Sequence, residues 1–123
     1  MAVVMDLRQE VMRVNNNVNI SIFGTGLRKQ RVLVSEDKII ITADHKRVPA
    51  LAALDKLERM TTRNTDVAIL DEFKRRLKAA LTEQLKMPVL SVMKDYDPDQ
   101  ELAVTVIIVE ESFMRKHQEV AAR

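Results

Sequence analysis

A chain of 123 residues, 46% hydrophobic and 31% charged, has the size and composition of one folded domain, able to bury roughly two-thirds of its unfolded surface around a single core. It contains no cysteine, which excludes a thiolate nucleophile and a cysteine-ligated zinc or iron–sulfur centre, and which suits a reducing cytoplasm, the expected location. Twenty Lys and Arg against eighteen Asp and Glu leave a net charge of +2, and three Phe with one Tyr provide little stacking surface, so nucleic acid is not an expected partner.

"MAVVMDLRQE" has no basic stretch ahead of an apolar one, which argues against a secretory signal, and the longest apolar run, "LAVTVIIV", is far short of the ~20 residues of a membrane-spanning helix. From Val4 onward, Leu7, Val11, Val14, Val18 and Ile22 recur every three or four residues, the period of a helix with one buried face. The three consecutive asparagines beyond Met12 are poor helix formers, so the last turns are expected to fray. Gly24 or Gly26 then ends the helix in a left-handed conformation. A phosphate loop in "GTG" would need a helix directly after it, whereas "QRVLVSEDKIIITAD" reads as two strands around a Glu36-Asp37 turn.

Pro49 suits the first turn of a short helix, "PALAALDKLERM", with Leu51, Leu54 and Leu57 directed inward. "TTRNT" is expected to break it, with Asn64, Thr65 or Asp66 capping a long helix whose Leu70, Phe73, Leu77, Leu81 and Leu85 form an apolar stripe. After Pro88, "VLSVM", an acidic turn "KDYDPDQE" and "LAVTVIIV" form a second hairpin, Leu102, Val104, Val106 and Ile108 sharing a face. Residues 111–123 read as a short or frayed helix closing a single domain over 1–123. The expected fold is α+β in the order α-β-β-α-α-β-β: two layers, with a four-stranded antiparallel sheet from two hairpins packed with helices. The strands around Val32, Ile40 and Val106 are apolar on both faces, so part of the second face needs cover, and a homodimer supplies it most simply.

Asp95, Asp97, Asp99 and Glu101 present clustered carboxylates, but the glycine bend and spacing of a calcium loop are missing, and Asp-Pro-Asp is ordinary turn chemistry. His45 and His117 lack the spacing of a helical zinc pair and read as surface residues. Ser35, Ser91 and Ser112 have no nucleophile elbow. Neither a catalytic set nor a metal or cofactor site is indicated. Arg28, Lys29, Arg31 and Arg47, with Lys46, gather at the open ends of the first hairpin and are the candidate partner-binding residues, suited to an acidic protein or an anionic membrane surface.

"FGTG" before an apolar hairpin, the proline-started short helix, the long amphipathic helix and "MPVLSVMKDYDPDQELAVTVIIVE" together resemble the small bacterial MpsC-like family, from about Leu7 to Glu110. Gly24, Gly26, Asp95, Asp97 and Glu110 match that family's pattern. Leu27 stands where its members have proline, and "RVPALAAL" lacks their Thr and Glu, which marks a divergent member. The resemblance implies a soluble, non-enzymatic component associated by name with a sodium-linked membrane-potential or ion-transport system, with no catalytic residues to carry over. The functional expectation is therefore an accessory or regulatory domain acting through protein contacts, with a membrane-associated transport protein among its partners; the alternative is a small-ligand sensor.

Overall fold

The computed structural model describes residues 6–122, with side chains as far as residue 117. Helix α1 (Leu7–Phe23) leads to strands β1 (Lys29–Val34) and β2 (Lys38–Asp44), short helix α2 (Pro49–Leu54) and long helix α3 (Arg59–Leu85). Strands β3 (Val89–Asp97) and β4 (Leu102–Val109) and helix α4 (Glu111–Ala122) follow. The four strands make one antiparallel sheet in the order β1-β2-β4-β3, so the hairpins join through their second strands. Helices pack on one face of it, giving the expected two-layer α+β fold.

Asp6 caps α1 by accepting the Arg8 N–H at 3.0 Å; the apolar period at Val4 lies outside the described residues. The helix does not fray after Asn15, because the asparagines are bonded to other parts of the fold. Asn15 Nδ2 donates to Gln30 Oε1 at 2.9 Å, and Gln30 Nε2 donates to the Met12 carbonyl at 3.2 Å. Asn19 Nδ2 donates to the Thr25 carbonyl at 2.9 Å, and Asn16 Oδ1 accepts the Leu27 N–H at 2.8 Å. These bonds outweigh weak propensity. Gly24 ends the helix at φ 78° and donates its N–H to the Ile20 carbonyl, as expected of a helix stop. Gly26 serves a different need: a Cβ there would lie 2.9 Å from Asn16 Oδ1.

The core forms where Val11, Val14 and Val18 of α1 and Phe73, Leu77 and Leu81 of α3 meet Ile39, Ile41, Ile107 and Val109 of the sheet. Met87 and Met114 complete it. Of the stripe expected on the long helix, Phe73, Leu77 and Leu81 are buried and Leu70 and Leu85 half-buried, but two expected boundaries move. "TTRNT" does not break the chain; it lies within α3, where Thr62 is fully buried and the hydroxyls of Thr62 and Thr65 bond back to the carbonyls of Arg59 and Thr61. Helix α2 stops at Leu54, and Leu54 and Leu57 face solvent instead of the core. In the second hairpin "KDYD" is not turn but the end of β3, and only residues 98–101 form the turn.

That extension sets the faces of β3. Alternation and register put Val92, Lys94 and Tyr96 beneath the helices with Ile107, Thr105 and Ala103, while Met93, Asp95 and Asp97 face the other way.

Candidate functional site

The helix-covered side holds a pocket where the end of α1, the β2–α2 connection, the first half of α3 and β3 meet. Its walls are Phe23, His45, Arg47, Val48, Leu51, Asp66, Ile69, Leu70, Phe73, Lys94, Tyr96 and Ala103. The space inside it that stands clear of the walls is small, about 30 Å³, room for a water or two or for one small ligand group.

Arg47 anchors the rim. Its side chain is 7% exposed and forms two bonds to each of two carboxylates: Nε and Nη2 to Asp55 at 3.0 and 2.8 Å, Nη1 and Nη2 to Asp66 at 2.7 and 3.0 Å. Its backbone N–H donates to Glu101 Oε2 at 2.6 Å. Arg59 flanks both carboxylates at 3.5 and 3.6 Å, so the network pairs two cations with two anions. The bonds donated by Arg47 hold the Asp55 carboxyl down at about 2, and the bonds that Asp55 and then Asp66 accept raise the Arg47 guanidinium further above its usual range.

His45 is half-buried, not the free surface residue expected. Its ring lies edge-on between Phe23 and Tyr96, with centroids 4.4 and 5.5 Å away, and the Tyr96 hydroxyl donates to the His45 carbonyl at 2.8 Å. Burial, and then the nearby Lys94 ammonium, pushes the imidazole below its usual range. Burial raises the Tyr96 phenol to about 12. The Lys94 ammonium sits 3.1 Å from the centroid of the Phe73 ring, and among the described residues no carboxylate lies within ion-pair distance of it. Burial lowers it to about 7.

The acidic turn is occupied with local bonding: Asp97 Oδ1 accepts the N–H groups of Asp99 and Gln100 at 3.0 and 3.2 Å. Glu101 adopts a left-handed φ of 52°. Its carbonyl accepts the His45 N–H at 2.9 Å while its side chain accepts that of Arg47. The turn therefore braces the pocket wall.

The second candidate is the other face of the sheet, which is bare among the described residues. Register lines its residues up across β1, β2, β4 and β3 as Lys29, Asp44, Leu102, Asp97; then Arg31, Thr42, Val104, Asp95; then Leu33, Ile40, Val106, Met93. Beyond the third row lie Lys38, Ile108 and Ser91. Leu33 is 61% and Met93 52% exposed. The face is thus an apolar band with a basic β1 edge and an acidic β3 edge.

Of the four basic residues singled out in the sequence, Arg28, Lys29 and Arg31 are exposed at the β1 edge, but Arg47 is buried in its ion pairs and does not join them. Lys94 and Tyr96 were missed because they were read as turn; continuing the strand alternation through "VMKDYD" would have set Lys94 and Tyr96 on one face and Asp95 and Asp97 on the other. Comparison of the chain with protein-family models, curated proteins and solved structures finds no match.

Proposed function

We propose that this domain is a non-enzymatic accessory or regulatory module acting through protein contacts, and that its bare sheet face is the contact surface with a second copy of the chain as occupant. The observation that carries the reading is the uncovered row Leu33, Ile40, Val106, Met93, apolar in all four strands. Water against such a band is unfavourable, and burial against a matching band removes the penalty.

Charge selects the arrangement. A two-fold axis parallel to the strands lays β1 of one copy over β3 of the other, which sets Lys29 and Arg31 against Asp97 and Asp95 and the apolar rows against each other. The aligned packing of two twisted sheets is close to this arrangement. A two-fold axis across the strands instead lays β1 over β1 and leaves the acidic edge without a basic counterpart. The acidic partner expected for Arg31 is then the second copy's own β3 edge. From strand spacing and rise the face measures roughly 20 by 25 Å, on the order of 500 Å² per copy, against about 800 Å² in a standard interface. The dimer is accordingly a weak, concentration-dependent one. The link to a membrane ion-transport system rests on the sequence resemblance, and the cytoplasmic location on the lack of cysteine and of a signal-like N-terminus; among the described residues no helix is long and apolar enough to cross a membrane.

Sedimentation equilibrium across micromolar to millimolar protein tests the proposal. Self-association is expected for the wild type, weakened by Arg31→Glu and restored when Arg31→Glu is combined with Asp95→Arg. A wild-type chain that stays monomeric throughout, or a double variant no better than the single one, overturns it.

A further inference from the structure

We propose that the pocket beneath α3 binds a small carboxylic acid with an apolar body, its carboxylate pairing with the Lys94 ammonium. This site lies on the helix-covered side of the sheet and is independent of the self-association proposed for the bare face.

Three observations carry the inference. The first is an unbalanced charge: Arg47 and Arg59 are matched by Asp55 and Asp66, whereas among the described residues Lys94 has only the face of Phe73, a weaker counterpart than an anion. Burial lowers the ammonium's titration to about 7. The second is the wall chemistry. Phe23, Leu51, Leu70 and Phe73 offer apolar surface beside the ammonium, so a ligand with one charged end and a hydrocarbon body satisfies both. The third is the scarcity of other donors. The Tyr96 hydroxyl is committed to the His45 carbonyl and the Arg47 guanidinium to its two carboxylates, which leaves too few groups to solvate a phosphate dianion but enough for a monoanion. Only about 30 Å³ of the space stands clear of the walls by a water's radius, which limits the ligand to a short or compact acid.

The test uses the full chain with acetate and propionate as probes and their uncharged amides as controls, followed by amide NMR shifts and calorimetry. Saturable binding of an acid in the millimolar range or tighter is expected, with the matching amide at least about tenfold weaker. His45, Arg47, Asp66, Tyr96 and, beyond His45, Glu101 also face this space. The imidazole is held below its usual range, the phenol titrates at about 12, and the arginine stays charged. A change above neutral pH therefore reports Lys94, and acid affinity is expected to fall about tenfold per pH unit once the ammonium is lost. Lys94→Met, which keeps the stem and removes the charge, is expected to erase the preference for acid over amide. If that variant fails to fold, the wild-type pH series decides alone. Absence of saturable acid binding, equal binding of acid and amide, or an affinity that does not change with pH overturns the proposal.

Discussion

Arg47 and Lys94 are both buried cations of one small region, and they differ in what surrounds them. Arg47 has a planar fork and two carboxylates to fill it, so its burial is compensated. Replacing it with Met leaves Asp55 and Asp66 to share Arg59 alone, and removing one member of a buried charge network costs about 3 kcal/mol or more. Urea denaturation of Arg47→Met should show that loss, whereas Arg28→Met, at an exposed position, should differ little from wild type. Lys94 has no such compensation, and the sign of its pH dependence follows. Its folded titration lies near 7, below the unfolded value near 10.5, so between those values the unfolded chain binds more protons and stability rises with pH. Burying the charged form penalises the fold most fully below pH 7, and the penalty fades as pH climbs towards 10. Thermal melts of wild type and Lys94→Met from pH 6.5 to 9.5 should converge or cross as the wild type gains stability relative to the variant; parallel curves would place the ammonium in water.

At the scale of elements, α1 is held to the loop that follows it by side chains that weaken helices in isolation. Asn16 and Gly26 form one device: the amide oxygen accepts the Leu27 N–H, and the missing Cβ gives it room. Gly26→Ala and Asn16→Ala should each destabilise by about 1 kcal/mol, and the double variant by less than their sum, since both remove the same bond. Additive losses in a urea-denaturation cycle would separate the two roles. The helix and its stop at Gly24 were legible because Leu7 to Ile22 keep the helical period and glycine adopts the left-handed cap without strain. The survival of its last turns was not, because the partners of Asn15 and Asn19 lie in Gln30 and Thr25 and appear only once the chain folds back. The same holds for α3. Thr and Asn in "TTRNT" are weak helix formers locally, but the Asp66 carboxylate that would have capped a new helix is taken up by Arg47, 19 residues earlier in sequence. Sorting residues by type made "KDYDPDQE" an acidic turn; sorting them by alternation would have divided it between a strand and a four-residue turn, and with it the pocket from the open face.

At the largest scale the decisive asymmetry is that, among the described residues, one sheet face is covered by helices and the other is not. The apolar second face was already visible in the sequence, in strands with no polar alternation at Ile39 to Ile41 and Val106 to Val109, but the arrangement of charge around it depends on the order β1-β2-β4-β3, which carries the basic and acidic strands to opposite edges. A face of this kind makes stability depend on protein concentration, because association favours the folded over the unfolded chain by mass action. If a second copy covers the band, the wild-type melting temperature should rise by about 4 °C over a hundredfold increase in concentration, provided the range spans dissociation. Leu33→Lys and Met93→Lys place charge where side chains already meet solvent, so each should leave the dilute melting temperature near that of wild type while flattening its dependence on concentration. A flat wild-type profile would mean that folding gains nothing from a second copy, and a variant with an unchanged slope would move the contact away from this face.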